Sequence, residues 1–265
     1  MKRMRIHVLM FCLLFCLTAM AEGERDSEHQ TQTIAHRGDW RPEGSAQNSR
    51  ASLRRALEQG IFGSEIDVWL TLDGHIMVDH DGKRDGLSLQ DTTFAACRHL
   101  LLSNGEIMPQ LKDLLKILKK SKSPTRLVVE IKRHRDPQRS RECAAAVVRA
   151  ICRRHLQDRV LYISFSPEAC QTIHQLQPGA DIAYLGGDRT PAELHALGLT
   201  GLDYNIKVFR QHPEWVQQAH DLGMNVNVWT VNEPDDIREM RDLGVDFITT
   251  DHPAVCQQMV AEPKK

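Results

Sequence analysis

The chain has 265 residues, with 34 basic and 35 acidic side chains and a formal net charge of −1. This balance excludes the basic surface by which many proteins bind nucleic acids. The five cysteines after residue 21 are odd in number and widely spaced, so they predict neither a disulfide framework nor a zinc motif, although a single disulfide remains open.

The first 21 residues have the three-part pattern of a secretory signal peptide. A basic start, MKRMRIH, precedes the apolar run VLMFCLLFCLTAM, and Ala19-Met20-Ala21 fits the small-x-small cleavage pattern. The apolar run is shorter than the about 20 residues that a transmembrane helix needs. We therefore expect residues 1–21 to be removed, with export to the periplasm or the outside of the cell and no stable membrane insertion.

Residues 22–32 are polar and charged without periodicity, and they predict a flexible lead-in. From residue 33 onwards, short β-rich runs alternate with helical patterns, several of which end on glycine. The predicted strands are TIAHRG (33–38), GSEIDVWLT (63–71), LVVEIK (127–132), VLYISFS (160–166), DIAYLG (181–186), GLDYN (201–205), NVNVWTV (225–231) and DFITTD (246–251).

Eight strand candidates separated by helices predict parallel strands joined by crossover helices. The length favours a closed TIM-type (β/α)8 barrel, for which about 250 residues are typical, over an open doubly wound sheet. We therefore expect residues 33–265 to form one barrel domain. The segment HIMVDHDG (75–82) predicts an additional strand in a small insertion after strand two.

Acidic side chains recur at every second position of two predicted strands. Glu65 and Asp67 share one face of EIDVWLT, and Glu130 and Lys132 share one face of LVVEIK. In a barrel these faces point inward near the carboxyl ends of the strands, where barrel active sites lie. Three buried carboxylates require either basic partners or a metal ion. All-oxygen ligands would suit Ca²⁺ or Mg²⁺, but carboxylate–lysine or carboxylate–arginine pairs give the same pattern, so the spacing leaves both open.

Two histidines lie beside glycine or aspartate in apolar strand contexts. His36 and Arg37 end the first strand before a turn at Gly38, and His80 lies in MVDHDG. Histidines that move protons, basic groups that bind oxyanions and acids that bind a cation are the components of metal-assisted phosphoryl chemistry. Each histidine alone is weak support, because the chain has 13 of them.

The ordered set of motifs resembles the glycerophosphodiester phosphodiesterases. The matching segments are HRG (36–38), EIDV (65–68), DG…VDHD (73–81), EIK (130–132), NVWTVN (227–232) and GVDFITTDHP (244–253). The resemblance implies a TIM-type barrel with an insertion after strand two. It also implies hydrolysis of glycerophosphodiesters to glycerol 3-phosphate and an alcohol, with one divalent cation, Ca²⁺ or Mg²⁺.

The resemblance also assigns roles to individual residues. His36 and His80 match the acid–base pair of the family. The metal ligands would be Glu65, Asp67 and Glu130, and the substrate-binding residues would be Arg37, Lys132 and Trp229. The alternative for Trp229 is a buried tryptophan that makes no substrate contact. Asn205, which would point inward with Asp203 on the sixth predicted strand, is a weaker candidate for the site.

The chain departs from the common family pattern after the first histidine. Where many members have Pro-Glu-Asn-Ser/Thr, this chain has GSAQNS (44–49), as in a subgroup with the SAQNS wording. Gln47 therefore replaces an acid and would supply no charge to a metal ion. The loop after His80 is also short, and we expect its Lys83 and Arg84 to be solvated rather than bound to substrate.

Two other functions are compatible with parts of the sequence. Lys132 on a barrel strand could form a Schiff base in an aldolase or lyase, although the nearby acids would hold it protonated. A phosphodiester-binding barrel whose metal site has decayed at Gln47 is the non-enzymatic alternative. The sequence gives neither the head-group alcohol nor the oligomeric state.

Overall fold

Eight parallel strands form the centre of the structure, a computed structural model that describes residues 30–262. The barrel strands are β1 (Gln32–Ala35), β2 (Gly63–Leu70), β6 (Arg126–Ile131), β7 (Val160–Ser164), β8 (Ile182–Tyr184), β9 (Gly201–Asn205), β10 (Asn225–Trp229) and β11 (Phe247–Thr250). Each pairs in parallel with its neighbours, and β1 pairs with both β2 and β11, which closes the barrel. The predicted TIM-type barrel and its eight strands are confirmed.

Helices connect the strands and cover the outside of the barrel. They are α1 (Arg50–Gln59), α2 (Phe94–Cys97), α3 (Leu111–Lys120), α4 (Pro137–Cys152), α5 (Pro167–Leu176), α6 (Pro191–Ala196), α7 (Ile206–Gln211), α8 (Glu214–Asp221), α9 (Pro234–Leu243) and α10 (Pro253–Val260). Helix α3 shows why these segments are helical. Its leucines recur at helical spacing and are buried, its lysines lie on the other face, and a capping box of Gln110 and Asp113 begins it.

The alternation of side chains along the strands separates two environments. Ile66, Val68, Val129 and Ile131 point outward and pack in the large core between barrel and helices. On the inward face, Val128 packs with Ile34, Leu161 and Ile163 inside the barrel. The acids of β2 and β6 continue this inward face towards the carboxyl ends of the strands, where apolar packing gives way to polar side chains.

The segment between β2 and β6 contains the predicted insertion. Strand β3 (Ile76–Val78) pairs antiparallel with β2, and β4 (Lys83–Arg84) pairs with β5 (Leu87–Ser88). These elements enclose a second, smaller apolar core that includes Met77, Leu89 and Leu100. The insertion thereby holds the loop after β3, which carries His80, against the barrel.

The amino-terminal boundary of the barrel lies slightly earlier than expected. Gln32, predicted to end the lead-in, is the first residue of β1, and the buried Thr31 hydroxyl donates a hydrogen bond of 2.7 Å to the Val245 carbonyl. The predicted signal peptide (1–21) and most of the lead-in lie outside the described residues. Within residues 30–262, the five cysteines are free thiols, and no helix is long and apolar enough to span a membrane.

Candidate active site

Three carboxylates from two adjacent strands meet at the carboxyl end of the barrel. Asp67 on β2 lies directly opposite Glu130 on β6 in the strand register, and Glu65 is two residues before Asp67. One oxygen from each of the three lies within 4.8 Å of the others, and all three side chains are buried. The three acids that the strand spacing placed on inward faces therefore lie together at one end of the barrel.

The close approach of these acids perturbs their ionisation. Burial raises the pKa of Glu65, and the charges of Asp67 and Glu130 raise it further. Burial and the charge of Asp67 likewise raise the pKa of Glu130. Burial also opposes ionisation of Asp67, but the charge of Lys132 and the other polar neighbours of Asp67 together outweigh burial and lower the pKa. The buried Glu65 Oε1 has no hydrogen-bond partner among the described residues. Crowded carboxylates with a free oxygen fit a hard divalent cation.

Lys132 pairs with two of these acids. Its Nζ lies 3.1 Å from Asp67 Oδ1 and 2.9 Å from Glu130 Oε1. Burial opposes the charge of Lys132, but the two carboxylates outweigh burial and raise its pKa. A lysine held protonated is a poor nucleophile, so this geometry disfavours the Schiff-base alternative. The ammonium is instead available to bind an oxyanion.

Arg37 occupies a constrained turn after β1. Its φ of 58° is left-handed, and its main-chain N–H donates a hydrogen bond of 2.7 Å to Glu65 Oε2. The next residue, Gly38, has φ 78°, and a Cβ there would lie 2.4 Å from Ser52 Oγ. Glycine is therefore required for this turn. The turn fixes the Arg37 guanidinium, whose Nη1 donates to Gln47 Oε1 at 2.8 Å.

His36 is oriented by an aspartate at the end of β11. Its Nδ1 lies 2.8 Å from Asp251 Oδ1, which also accepts from Trp40 Nε1 at 3.2 Å, while Asn232 Nδ2 donates to Asp251 Oδ2 at 2.9 Å. Burial opposes ionisation of Asp251, but the hydrogen bonds from His36, Asn232 and Trp40 hold its pKa well below the usual range. Because Asp251 is therefore a carboxylate, His36 Nδ1 carries the shared proton, and Nε2 is left for chemistry.

His80 has a similar but more exposed partner. Its Nδ1 lies 2.7 Å from Asp81 Oδ1, and the Asp81 side chain is 76% exposed. The loop is fixed beneath Trp69: a Cβ on Gly82, which has φ 64°, would lie 2.4 Å from the indole ring. Trp69 Nε1 also donates a hydrogen bond of 3.4 Å to the His80 carbonyl. Main-chain packing, rather than the aspartate, therefore positions His80.

A pocket of about 180 Å³ collects these groups. It is lined by His36, Arg37, Glu65, His80, Glu130, Lys132, Ile163, Phe165, Leu185, Asp203, Trp229, Thr230 and Thr249. All predicted site residues line it except Asp67, which lies behind Lys132 and is 1% exposed. Trp229 packs edge-on against Phe165, with ring centroids 5.7 Å apart, and donates from Nε1 to the Asp203 carbonyl at 2.8 Å. Trp229 thus lines the pocket wall.

Several residues in this region were missed by the sequence analysis. Asp251 and Asn232 lie in motifs that were recognised, but their contact with His36 depends on the meeting of β11 and β1. Asn48 was also missed: its Nδ2 donates to Asp67 Oδ2 at 2.8 Å, and its Oδ1 accepts from the Asp67 N–H at 3.0 Å. The Asn in SAQNS was the available signal.

Some weaker predictions require correction. The Asn205 side chain accepts a hydrogen bond from the Lys207 N–H at the start of α7, so it caps a helix and does not line the pocket. Arg84 is not simply solvated, because its Nη2 lies 2.6 Å from the buried Asp79 Oδ1. Lys83 is exposed, as expected.

Gln47 does not interrupt the acidic cluster. Its Oε1 accepts from Arg37, and the three clustered acids are complete without it. The geometry therefore gives no support to a metal site that has decayed at this position.

Comparison with known proteins places these features in a wider group. The model of the glycerophosphoryl diester phosphodiesterase family matches residues 36–255. A glycerophosphodiester phosphodiesterase of Caldanaerobacter subterraneus is 27% identical over 244 residues, covering 87% of this chain and 98% of the relative.

Solved structures give the same result. A glycerophosphodiester phosphodiesterase from Parabacteroides distasonis superimposes with a TM-score of 0.86 at 47% identity, covering 87% of this chain and 97% of that one. A phosphodiesterase from Oleispira antarctica, in complex with the product sn-glycerol-3-phosphate, has a TM-score of 0.74 at 25% identity, covering 88% of this chain and 98% of that one.

Proposed function

Because the chain belongs to the glycerophosphoryl diester phosphodiesterase family, we propose that it hydrolyses glycerophosphodiesters to glycerol 3-phosphate and an alcohol with the help of one divalent cation. One observation carries this proposal: a single pocket contains two histidines, two basic side chains and two members of the buried acidic triad, which consists of Glu65, Asp67 and Glu130. The Oleispira relative binds the product that this reaction would release.

Arg37 and Lys132 would hold the phosphodiester. Both line the pocket, and both carry fixed positive charge that complements the phosphoryl oxygens. Their own positions are fixed by the carboxylates of Glu65, Asp67 and Glu130, so little reorganisation is needed when substrate binds. The substrate phosphate would therefore lie beside the acidic triad rather than deeper in the barrel.

Glu65, Asp67 and Glu130 would hold the cation. When bound, a divalent cation polarises the phosphoryl group and lowers the pKa of a nearby hydroxyl or water. Carboxylate oxygens favour Ca²⁺ or Mg²⁺ over zinc, and we propose one of these two. Export of the enzyme, inferred from residues 1–21, would expose it to free Ca²⁺ outside the cytoplasm.

His36 and His80 would perform the proton transfers. One removes a proton from the attacking hydroxyl or water, and the other donates a proton to the oxygen of the leaving alcohol. Each imidazole shares its Nδ1 proton with an aspartate, which leaves Nε2 as the nitrogen that exchanges protons with substrate. General acid–base catalysis of this kind typically contributes a factor of about 10²–10⁴.

The test is an assay that couples release of glycerol 3-phosphate to a colour reaction, over several glycerophosphodiesters. We expect turnover with Ca²⁺ or Mg²⁺, its loss with chelator, and losses of about 10² or more in His36→Ala and His80→Ala with the fold intact. His212→Ala is a matched control, because this exposed histidine lies outside the pocket. Near-normal rates in either active-site variant would remove that histidine from the mechanism.

A further inference from the structure

Asp203 is a buried acid of the pocket that the proposed reaction does not use. It lies on β9, is 1% exposed, and lines the catalytic pocket as well as the apolar interior of the barrel below it. Within residues 30–262, no group hydrogen-bonds to its Oδ1. A buried carboxyl oxygen without a partner costs free energy, so a fold that needed only stability would not favour it here.

Asp203 is separate from the acidic triad. Its oxygens are not part of the carboxylate cluster found among the described residues. Burial raises its pKa to about 7, and a hydrogen bond from Asn227 opposes this rise. Asp203 therefore belongs to a neutral, largely apolar part of the pocket rather than to the cation site.

The surroundings of Asp203 indicate the kind of ligand group it would meet. Phe165, Leu185 and Trp229 line the same part of the pocket, and Trp229 is held by the Asp203 carbonyl. Asn227 and Thr249 hydrogen-bond to each other through their side chains, so their polar atoms are largely occupied. An apolar wall with one free carboxyl oxygen suits an aliphatic group that carries a hydroxyl.

Resting on the proposed function, we infer that Asp203 binds a hydroxyl of the glycerol half of the substrate and so determines specificity for glycerol over simple alkyl phosphodiesters. Every glycerophosphodiester contains the same glycerol half. This constant half can therefore occupy the enclosed end of the pocket, where the ligand cannot vary in shape. The variable head group would lie towards His80, whose side chain is 37% exposed. A carboxyl group complements a hydroxyl, because each can donate and accept a hydrogen bond.

The test uses binding of the product, so that it does not depend on turnover. Calorimetry in the presence of Ca²⁺ would compare glycerol 3-phosphate, propyl phosphate and inorganic phosphate. We expect the protein to prefer glycerol 3-phosphate to propyl phosphate by about tenfold, as one well-made hydrogen bond would give. Asp203→Ala should abolish this preference and leave the Kd of inorganic phosphate within about twofold. Asp203→Asn, which retains donor and acceptor atoms, should keep part of it.

Two results would overturn the inference. One is an unchanged preference in Asp203→Ala; the other is equal weakening of all three ligands, which would indicate a purely structural role. Asp246→Asn is the control for loss of a buried acid, because Asp246 lies outside the pocket beside the start of β10. Failure of hydrolysis in the coupled assay would refute the proposed function separately, since the binding preference is measured without turnover.

Discussion

Replacing Asp251 by asparagine tests whether the orientation of His36 matters for catalysis. The Asp251 carboxylate accepts hydrogen bonds from His36, Trp40 and Asn232 at 2.8, 3.2 and 2.9 Å. Asparagine has a similar shape, but its amide has one oxygen instead of two acceptors and no charge. The amide would no longer fix the proton on His36 Nδ1, so Nε2 would lose its defined role.

The size of this effect follows from the bond that is lost. A hydrogen bond to a charged group contributes about 1.5–3 kcal/mol, and each 1.36 kcal/mol is a factor of ten. We therefore expect Asp251→Asn to lower kcat by roughly 10- to 150-fold with little change in KM. The matched variant Asp81→Asn should lower kcat by less than about fivefold, because an exposed ion pair contributes little.

The same variant should change the pH dependence of stability. The pKa of Asp251 is lowered in the folded state, so the folded protein binds fewer protons than the unfolded chain near the ordinary pKa of aspartate. The stabilisation is therefore present above about pH 4 and is lost as the pH falls further. Because the folded-state pKa of Asp251 lies well below the usual range, much of this stabilisation persists at pH 3, and urea unfolding should show a smaller destabilisation of Asp251→Asn at pH 3 than at pH 7.

The coupled assay and the unfolding curves give clear grounds for refutation. Equal losses of kcat in Asp251→Asn and Asp81→Asn would show that burial of the aspartate is irrelevant. A normal kcat in Asp251→Asn would show that the imidazole of His36 needs no fixed tautomer. A destabilisation that is the same at both pH values would assign the effect to packing instead of charge.

Three further predictions follow from single contacts. Lys132→Met should lower the free energy of unfolding, measured in urea, by about 3–5 kcal/mol, because two buried carboxylates lose their ammonium partner. The variant should also lose turnover. Wild-type stability would contradict the pairing. Gln47→Glu should raise KM a few-fold, because the new carboxylate would neutralise the Arg37 guanidinium. Calorimetry should find the cation affinity unchanged, and tighter cation binding would instead mean that residue 47 faces the metal. Gly38→Ala should have a free energy of unfolding lower than that of Gly44→Ala by at least about 1 kcal/mol. Both glycines have left-handed φ, but only the methyl group added at Gly38 would clash with Ser52. Equal stabilities of the two variants would contradict this.

The fold was predictable because its signals are local and repeated. The alternation of inward acids with outward Ile66 and Val68 requires only a period of two, and each crossover helix carries its own apolar face. Boundaries were less accurate: the structure ends β1 at Ala35, whereas the pattern extended the first strand to residue 38. The reason is the left-handed turn at Arg37, which no hydrophobic pattern records.

The site was predictable as far as its groups lie on strands with a known register. Glu65, Asp67 and Glu130 share inward positions of adjacent strands, so their meeting follows from the barrel. Asp251 and His36 are 215 residues apart in the sequence, and their contact depends on the pairing of β1 with β11 that closes the barrel. The free oxygen of Asp203 could not be predicted either, because it depends on which neighbours bond to each other.

The balance of charge supports the proposal that a cation and a phosphodiester bind at one site. The triad carries three negative charges when ionised, and Arg37 and Lys132 supply two positive charges, so the cluster alone has an excess of one negative charge. Such a cluster would repel a monoanionic phosphodiester. A divalent cation would reverse the sign to a single positive charge, which the phosphodiester would then neutralise. Cation and substrate should therefore bind cooperatively, and each should tighten the other by the same factor.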